Sequence, residues 1–197
     1  MTDAELLECW GEGDQAAAES LIRRHLQLVH RFFHGKVSSE LDDLVQRTFL
    51  KCVERRHTLR EAASFRAFLL GIARFELLTH YRKRQHAPRV DPSVASLVEL
   101  VPSPPSIIAK HREQRRLLAA LRRIPLDLQL VVELHYWEQL SSFEIAEILE
   151  VPAGTVRSRL RRARERIAAV LTELEGESVA SQTMSDFETW AARLREE

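Results

Sequence analysis

The sequence predicts an all-α protein with two small helical domains joined by a proline-rich linker, the second ending in a helix-turn-helix. Apolar residues recur at helical spacing along most of the 197 residues. Glycine is scarce, and no β-branched stretch alternates with polar residues as a half-buried strand does. Five prolines interrupt the helical pattern in residues 86–106, which predicts an extended connection there. We assign residues 1–86 to the first domain, 87–106 to the linker, 107–173 to the second domain and 174–197 to a tail.

The first two helices are predicted by their start and stop signals. Thr2 and Glu5 have the spacing of a capping box, and glycines at 11 and 13 end the helix that they start. Asp14 caps a longer helix that runs through Phe33, with apolar residues at helical spacing. The first twenty residues contain acids and no lysine or arginine.

Two further helices complete the first domain. One runs from about Glu40 to Arg55 and leaves a polar face of Asp42, Asp43, Gln46 and Lys51 outward. The next runs from Phe65 to about Gln85, with Phe75 in one of its apolar stripes, and is apolar on more than one side, as expected of a helix packed between neighbours. Its last turns combine basic residues with an aromatic: His80, Tyr81, Arg82, Lys83 and Arg84. Such a mixture suits single-stranded DNA, although cations also stabilise a helix C-terminus.

The second domain begins with a helix from about Ile107 and another that starts at Pro125. Residues 141–167 then predict a helix-turn-helix, because Ser141 and Glu144 form a capping box and Pro152 suits the first turn of a second helix. One face of that second helix is apolar: Val156, Leu160, Ala163 and Ile167. The opposite face is polar and basic: Gly154, Thr155, Arg157, Ser158, Arg159, Arg161, Arg162 and Glu165.

A helix with these two faces can enter a DNA major groove, where arginine binds guanine or phosphate. The alternative is an ordinary helical hairpin with a solvated basic face. We favour DNA binding because the capping box, the proline and the two-faced helix occur together. The formal net charge of zero does not oppose this, since acids at the N-terminus offset a locally basic helix.

The tail predicts a flexible polar stretch followed by a short amphipathic helix from Ser185 to Arg195. Phe187 and Trp190 lie on its apolar side, so we expect this helix to pack on the protein's own domains. The alternative is a frayed terminus. We expect the two cysteines to be buried thiols, no metal or cofactor to bind, and a cytoplasmic protein without a membrane span.

The run from Tyr136 to Ile167 resembles region 4 of the extracytoplasmic-function sigma factors of the sigma-70 family. Its most specific part is G-T-V-x-S-R followed by Arg162 to Arg164. Glu150 departs from the family pattern, which has glycine there. The resemblance implies recognition of the promoter −35 element, for which the matching residues are Thr155, Arg157, Ser158, Arg159, Arg161 and Arg162.

Two runs in the first domain resemble region 2 of the same family. D-D-L-V-Q-x-x-F resembles region 2.2, which implies docking on the polymerase clamp coiled coil through Asp42, Asp43, Gln46 and Phe49. F-R-A-x-L-x-x-I-A-R resembles regions 2.3 and 2.4, which implies −10 recognition through Arg74, His80, Tyr81, Arg82, Lys83 and Arg84. Phe68 stands where tryptophan is usual and Phe75 where asparagine is common.

The sequence is therefore interpreted as a sigma factor and not an enzyme. The resemblance implies that it binds core RNA polymerase, at the clamp coiled coil and the flap, together with promoter DNA. It leaves open whether an anti-sigma factor binds the chain. A stand-alone helix-turn-helix regulator is the main alternative. A nuclease is disfavoured because no convergent set of carboxylates is evident.

Overall fold

The computed structural model describes residues 1–59, 64–85, 91–100 and 112–189. Within these ranges the regular elements are helices, and the one β-type contact is an isolated bridge between Ser96 and Pro125. The predicted all-α class is confirmed. The chain divides into two compact units, Met1–His86 and Ala87–Glu197. No described helix is long and apolar enough to cross a bilayer.

In the first unit the structure describes four α-helices and a short 3₁₀ turn at Arg56–Thr58: α1 (Asp3–Gly11), α2 (Gln15–Phe33), α3 (Leu41–Arg55) and α4 (Phe65–Gln85). The predicted start signals are present. Glu5 and Thr2 form a reciprocal capping box, and the Asp14 carboxylate accepts hydrogen bonds from the first N–H groups of α2. Gly13 takes a φ of 102°, which lets the chain turn between α1 and α2.

Helices α2, α3 and α4 pack on one another around an apolar core. This core includes Leu21, Phe33, Leu44, Leu69, Leu70 and Leu77, all shielded from solvent. Tyr81 from the end of α4 also lies in it and donates a hydrogen bond from its hydroxyl to the Lys36 carbonyl, 2.6 Å away. The end of α4 is thereby fixed against the loop that precedes α3.

The described residues of the second unit form six α-helices: α5 (Leu97–Leu100), α6 (Arg112–Leu121), α7 (Leu126–Val132), α8 (Ser142–Leu149), α9 (Ala153–Glu175) and α10 (Glu177–Ser185). Helix α7 continues into a π-helical turn at Glu133–Trp137. Helix α9 contacts α6, α7, α8 and α10, so it is the centre of this unit. Its apolar face joins leucines and isoleucine of α6 and of the segment after it in one buried cluster.

Part of the predicted linker belongs to the second unit. The carbonyls of Pro92 and Ala95 accept hydrogen bonds from the backbone N–H groups of Asp127 and Leu126, both at 2.9 Å. Leu97 is buried. The physical reason is that Pro125 offers no side-chain cap, so the first N–H groups of α7 take backbone carbonyls instead. The expectation of an extended connection is therefore wrong for residues 91–100, while residues 86–90 and 101–111 lie outside the described part.

The tail also differs from its prediction. The stretch expected to be flexible forms α10, which packs along α9 after a turn at Gly176, whose φ is 88°. Ala180 and Thr183 of α10 are buried, and Phe187, two residues beyond its end, is buried at the same helical spacing. Phe187 therefore docks on the protein's own fold, as predicted, whereas Trp190 and the rest of the predicted helix lie outside the described residues.

Candidate nucleic-acid interface

The helix-turn-helix is formed by α8 and α9. Ser141 accepts a hydrogen bond from the Glu144 N–H at 3.3 Å, and the Glu144 carboxylate accepts one from the Ser141 N–H at 2.9 Å. This is the predicted capping box. Pro152 is the residue that precedes α9, one position earlier than the first turn in which it was expected.

The turn between the helices keeps its form although glutamate replaces the family's glycine. Glu150 adopts φ 56° and ψ 45°, the left-handed conformation that glycine would take most easily. The Val151 N–H donates to the Ala146 carbonyl at 3.0 Å, which closes a Schellman-type end to α8. The glutamate at position 150 thus strains the backbone locally. The hydrogen bonds that end α8 are made despite this strain, and they set the direction of the chain into α9.

Helix α9 has the two faces that the sequence predicts. Val156, Ala163 and Ile167 are fully buried, and Leu160 is half-buried. Arg157, Ser158, Arg161 and Arg162 are exposed, whereas Thr155 and Arg159 are half-buried at the edge. The structure therefore places the six predicted −35 residues on one continuous side of a single helix.

The arginines of α9 differ in their partners within the chain. Arg159 donates from Nε toward the buried Asp127 carboxylate at 3.3 Å, and Arg161 pairs with Glu165 at 3.0 Å. Arg157 and Arg162 have no carboxylate within ion-pair distance among the described residues. Ser158 donates its hydroxyl hydrogen to the Thr155 carbonyl at 2.9 Å, which leaves its oxygen lone pairs outward.

Asp127 contacts one of the predicted −35 arginines, Arg159, and the sequence did not indicate this contact. It lies in the first turn of α7, and burial raises the pKa of its carboxyl, while the Arg159 guanidinium acts in the opposite direction. One of its oxygens has no hydrogen-bond partner. Nothing in the local sequence predicts that an acid next to Pro125 meets the basic helix, because the contact depends on how α7 packs against α9.

The predicted polymerase-docking residues lie along α3. Asp42, Asp43 and Gln46 are exposed, and Phe49 is buried. Phe49 lines one wall of an open groove of about 510 Å³ between α2 and α3. Exposed apolar side chains that the sequence reasoning left out also line this α2–α3 groove: Leu26, Leu50 and Val53. The sequence could have indicated these three residues, because they are apolar and fall outside the buried stripe of either helix.

The predicted −10 residues at the end of α4 separate into two groups. Arg82, Lys83 and Arg84 are exposed and Arg74 is half-buried. His80 and Tyr81 are buried, at 4% and 2% exposure, and His80 Nδ1 contacts the Glu40 carboxylate at 3.1 Å. Neither ring can stack on a base without leaving the core, so the structure argues against a DNA-contact role for these two residues. The physical reason is that the helical turn at 80–81 faces the loop before α3.

A different aromatic of α4 is exposed. Phe75 was assigned to an apolar stripe, but it is 46% exposed, and the guanidinium carbons of Arg55 and Arg82 lie 5.7 and 6.0 Å from its ring centre.

Among the described residues, no group of three or more histidine, cysteine, aspartate or glutamate side chains is arranged to hold a metal. The chemistry available on both units is therefore that of cations, carboxylates and exposed apolar surface.

Comparisons with known proteins agree with this division into two units. The family model for Sigma-70 region 2 matches residues 21–87, and that for Sigma-70, region 4 matches residues 114–167. The chain is 29% identical over 177 residues to the ECF RNA polymerase sigma-E factor of Haemophilus influenzae, covering 85% of this chain and 94% of that protein. It is 28% identical over 185 residues to the RNA polymerase sigma-H factor of Pseudomonas aeruginosa, covering 87% and 95%.

Solved structures share the fold. CnrH, solved in complex with the cytosolic domain of CnrY, superposes with a TM-score of 0.61 at 23% identity, covering 87% of this chain and 97% of that one. The sigma factor RpoE of Bartonella quintana, solved with the anti-sigma factor NepR, gives 0.60 at 24% identity, covering 78% and 96%. The region 2 match falls on the first unit and the region 4 match lies within the second, and the curated relatives extend over most of the chain. The chain belongs to the extracytoplasmic-function sigma factors of the sigma-70 family.

Proposed function

We propose that this chain directs core RNA polymerase to promoters by using α9 on the −35 element, the end of α4 on the −10 element and α3 on the polymerase clamp. The sigma factors of its family initiate transcription and catalyse no reaction themselves, and this chain is not an enzyme. It acts in the cytoplasm, where polymerase and chromosome meet. The observation that supports the proposal most strongly is that one chain contains both a region 2 and a region 4 unit.

The −35 assignment follows from the charges of α9. Arg157 and Arg162 are exposed and lack carboxylate partners among the described residues, so DNA gains their charge without breaking an ion pair. Ser158 and Arg161 lie near the middle of the outer face and contact base edges, while Arg159, held at the edge by Asp127, contacts a phosphate.

The polymerase assignment follows from the surface around α3. Asp42, Asp43 and Gln46 form its polar part, and the α2–α3 groove supplies an apolar part next to it. An interface with an apolar centre and a charged rim is typical of stable protein contacts. Two structural relatives are solved with CnrY and with NepR, so an anti-sigma factor is a further expected partner of this chain.

Two weak DNA contacts in one chain reinforce each other, because binding of one raises the effective concentration of the other. The proposed sigma factor acts only with core polymerase, whereas a stand-alone regulator requires no polymerase. The test is run-off transcription with core polymerase and fragmented genomic DNA. We expect discrete transcripts that depend on this chain. Tight DNA binding without polymerase, together with no chain-dependent transcript, would contradict the proposal and favour the regulator.

A further inference from the structure

The tail that follows α9 ends against an arginine of that same helix. Arg164 donates from Nη1 to the Glu188 carboxylate and to the Tyr136 hydroxyl, both at 3.4 Å. Its guanidinium carbon lies 5.6 Å from the centre of the buried Phe187 ring. Three groups therefore hold the Arg164 side chain, and two of them belong to the tail.

Arg164 continues a line of arginines that includes two of the predicted −35 residues. Arg157, Arg161 and Arg164 are four and three residues apart, so they follow one another along one side of α9. Arg157 and Arg161 are exposed, whereas Arg164 is half-buried. A DNA backbone that runs along this side meets two exposed arginines and then, about one turn further, a third whose charge is already paired.

The tail brings only negative charge to this side of α9. Between Ile167 and Thr189 the sequence contains no lysine or arginine. Its acids there are Glu173, Glu175, Glu177, Asp186 and Glu188. Because α10 turns at Gly176 and packs on α9, the far end of the tail comes back to Arg164. The Glu188 side chain is 74% exposed, so its charge would also repel a phosphate that approached Arg164.

Packing of the tail does not require the charge of Glu188. Ala180, Thr183 and Phe187 are the residues through which the tail is buried. An exposed ion pair such as that of Glu188 with Arg164 adds little to stability. What the pair does change is the charge that α9 offers to a nucleic acid, because it neutralises the third arginine of the line.

We propose that Glu188 keeps Arg164 from binding DNA and thereby ends the DNA-binding side of α9 at Arg161. This rests on the proposed function, in which α9 binds DNA, and adds a residue that limits that binding. Affinity that is independent of sequence comes from phosphate contacts, so neutralising one cation lowers binding to every DNA sequence. Lower affinity of this kind reduces competition from the many non-promoter sites of a chromosome.

The test measures binding of the full chain to a short DNA duplex of scrambled sequence, by anisotropy over a range of salt concentrations. Glu188→Gln keeps the size of the side chain and removes its charge. We expect this variant to bind about 5-fold more tightly at about 0.15 M salt, the effect of one added phosphate contact. The slope of log affinity against log salt should steepen by about 0.9 for the same reason.

A double-mutant cycle shows whether the effect passes through Arg164. Arg164→Gln should weaken binding about 5-fold in the Glu188→Gln chain, where the cation is available, and much less in the wild-type chain. Glu177→Gln is the matched control, since it removes an equal charge from the exposed start of the nine-residue α10. That position is separated from the end of the tail by more than the screening length of about 8 Å, so binding should stay unchanged.

The outcomes separate this inference from the proposed function. If Glu188→Gln binds the scrambled duplex like wild type, or if its gain survives Arg164→Gln, Glu188 does not act by covering Arg164 and the inference is wrong. A lower melting temperature of the second unit without tighter DNA binding shows that the pair only stabilises the tail, which also overturns it. The proposed function is decided independently by run-off transcription, because the scrambled duplex contains no promoter.

Discussion

Removing the Phe187 ring should unfold the second unit at a distinctly lower temperature. Phe187 is 1% exposed although it lies twelve residues beyond the end of α9 in a tail outside both family matches. Its ring meets Tyr136 edge-to-face with centroids 5.1 Å apart, and the Arg164 guanidinium lies 5.6 Å from its centre. The tail is therefore part of the core and not an appendage.

The magnitude follows from these contacts. Truncating a buried phenylalanine to alanine costs about 3–5 kcal/mol. The edge-to-face pair with Tyr136 contributes about 0.5–1.5 kcal/mol of stability beyond area burial. Because α10 packs mainly on α9, it can shift to fill part of the space, so we expect about 3 kcal/mol. For a unit of this size that corresponds to a decrease in melting temperature of about 10–15 °C.

Differential scanning calorimetry of the full chain is the assay, since it can resolve separate transitions of the two units. Phe187→Ala should lower the transition of the second unit only. A chain that ends after Gly176 should lower it at least as much, because it also loses the buried Ala180 and Thr183. Leu174→Ala, at a position 37% exposed on α9, is the matched control and should have a small effect.

The result that refutes this reasoning is a truncated chain that melts with the full-length transition. In that case the apolar cluster would be complete without α10, and the burial of Phe187 would carry little free energy. A loss of both transitions together would equally contradict the assignment of Phe187 to the second unit alone.

Three further outcomes are expected. Asp43→Lys should abolish transcription with little change in the helical circular-dichroism signal or melting temperature, since the exposed pair of Asp43 with Arg47 contributes at most about 1 kcal/mol; retained polymerase affinity with lost folding would refute it. Arg161→Ala should cost about 1–3 kcal/mol of −35 binding and relax specificity at one base pair, whereas equal weakening of all sequences would exclude a base contact. Burial raises the pKa of the Asp127 carboxyl, so the folded state binds its proton more tightly than the unfolded chain does. The free energy of unfolding should therefore fall as pH rises from the ordinary aspartate pKa through the raised one. Urea unfolding across that range should show this decrease in wild type relative to Asp127→Asn, and parallel pH profiles would refute it.

Local signals allowed most of the helices to be predicted from the sequence. Capping boxes at Thr2 and Ser141 mark helix starts within a few residues, and the apolar stripe of α9 follows its observed buried face. Such features depend on neighbours three or four residues apart, which the sequence displays directly. The same reasoning placed Asp42 and Asp43 outward on α3, where the structure also has them.

The errors concern side chains whose environment is set by distant parts of the chain. Tyr81 precedes three basic residues at a helix end, and only the packing of α4 against the loop before α3 shows that it is buried. Phe75 looked like core, yet α3 leaves it uncovered. The tail looked polar because its buried stripe consists of the small Ala180 and Thr183, which a wide apolar pattern does not reveal.

The ion pairs that the α9 arginines make with acids of the same chain determine how readily each arginine can bind DNA. Arg157 and Arg162 have no carboxylate partner among the described residues, so binding a phosphate or base breaks no ion pair. Arg161 must leave an exposed helical pair, worth about 0.3–0.5 kcal/mol. Arg159 would leave the buried Asp127 carboxylate without its cationic partner, so on the proposed −35 assignment we expect it to contact a phosphate with that pair intact. Among the four predicted −35 arginines, α9 thus presents two without an ion-pair partner in the described part of the chain, one readily released and one fixed in position. The acids that make this distinction come from α7 and α9 themselves.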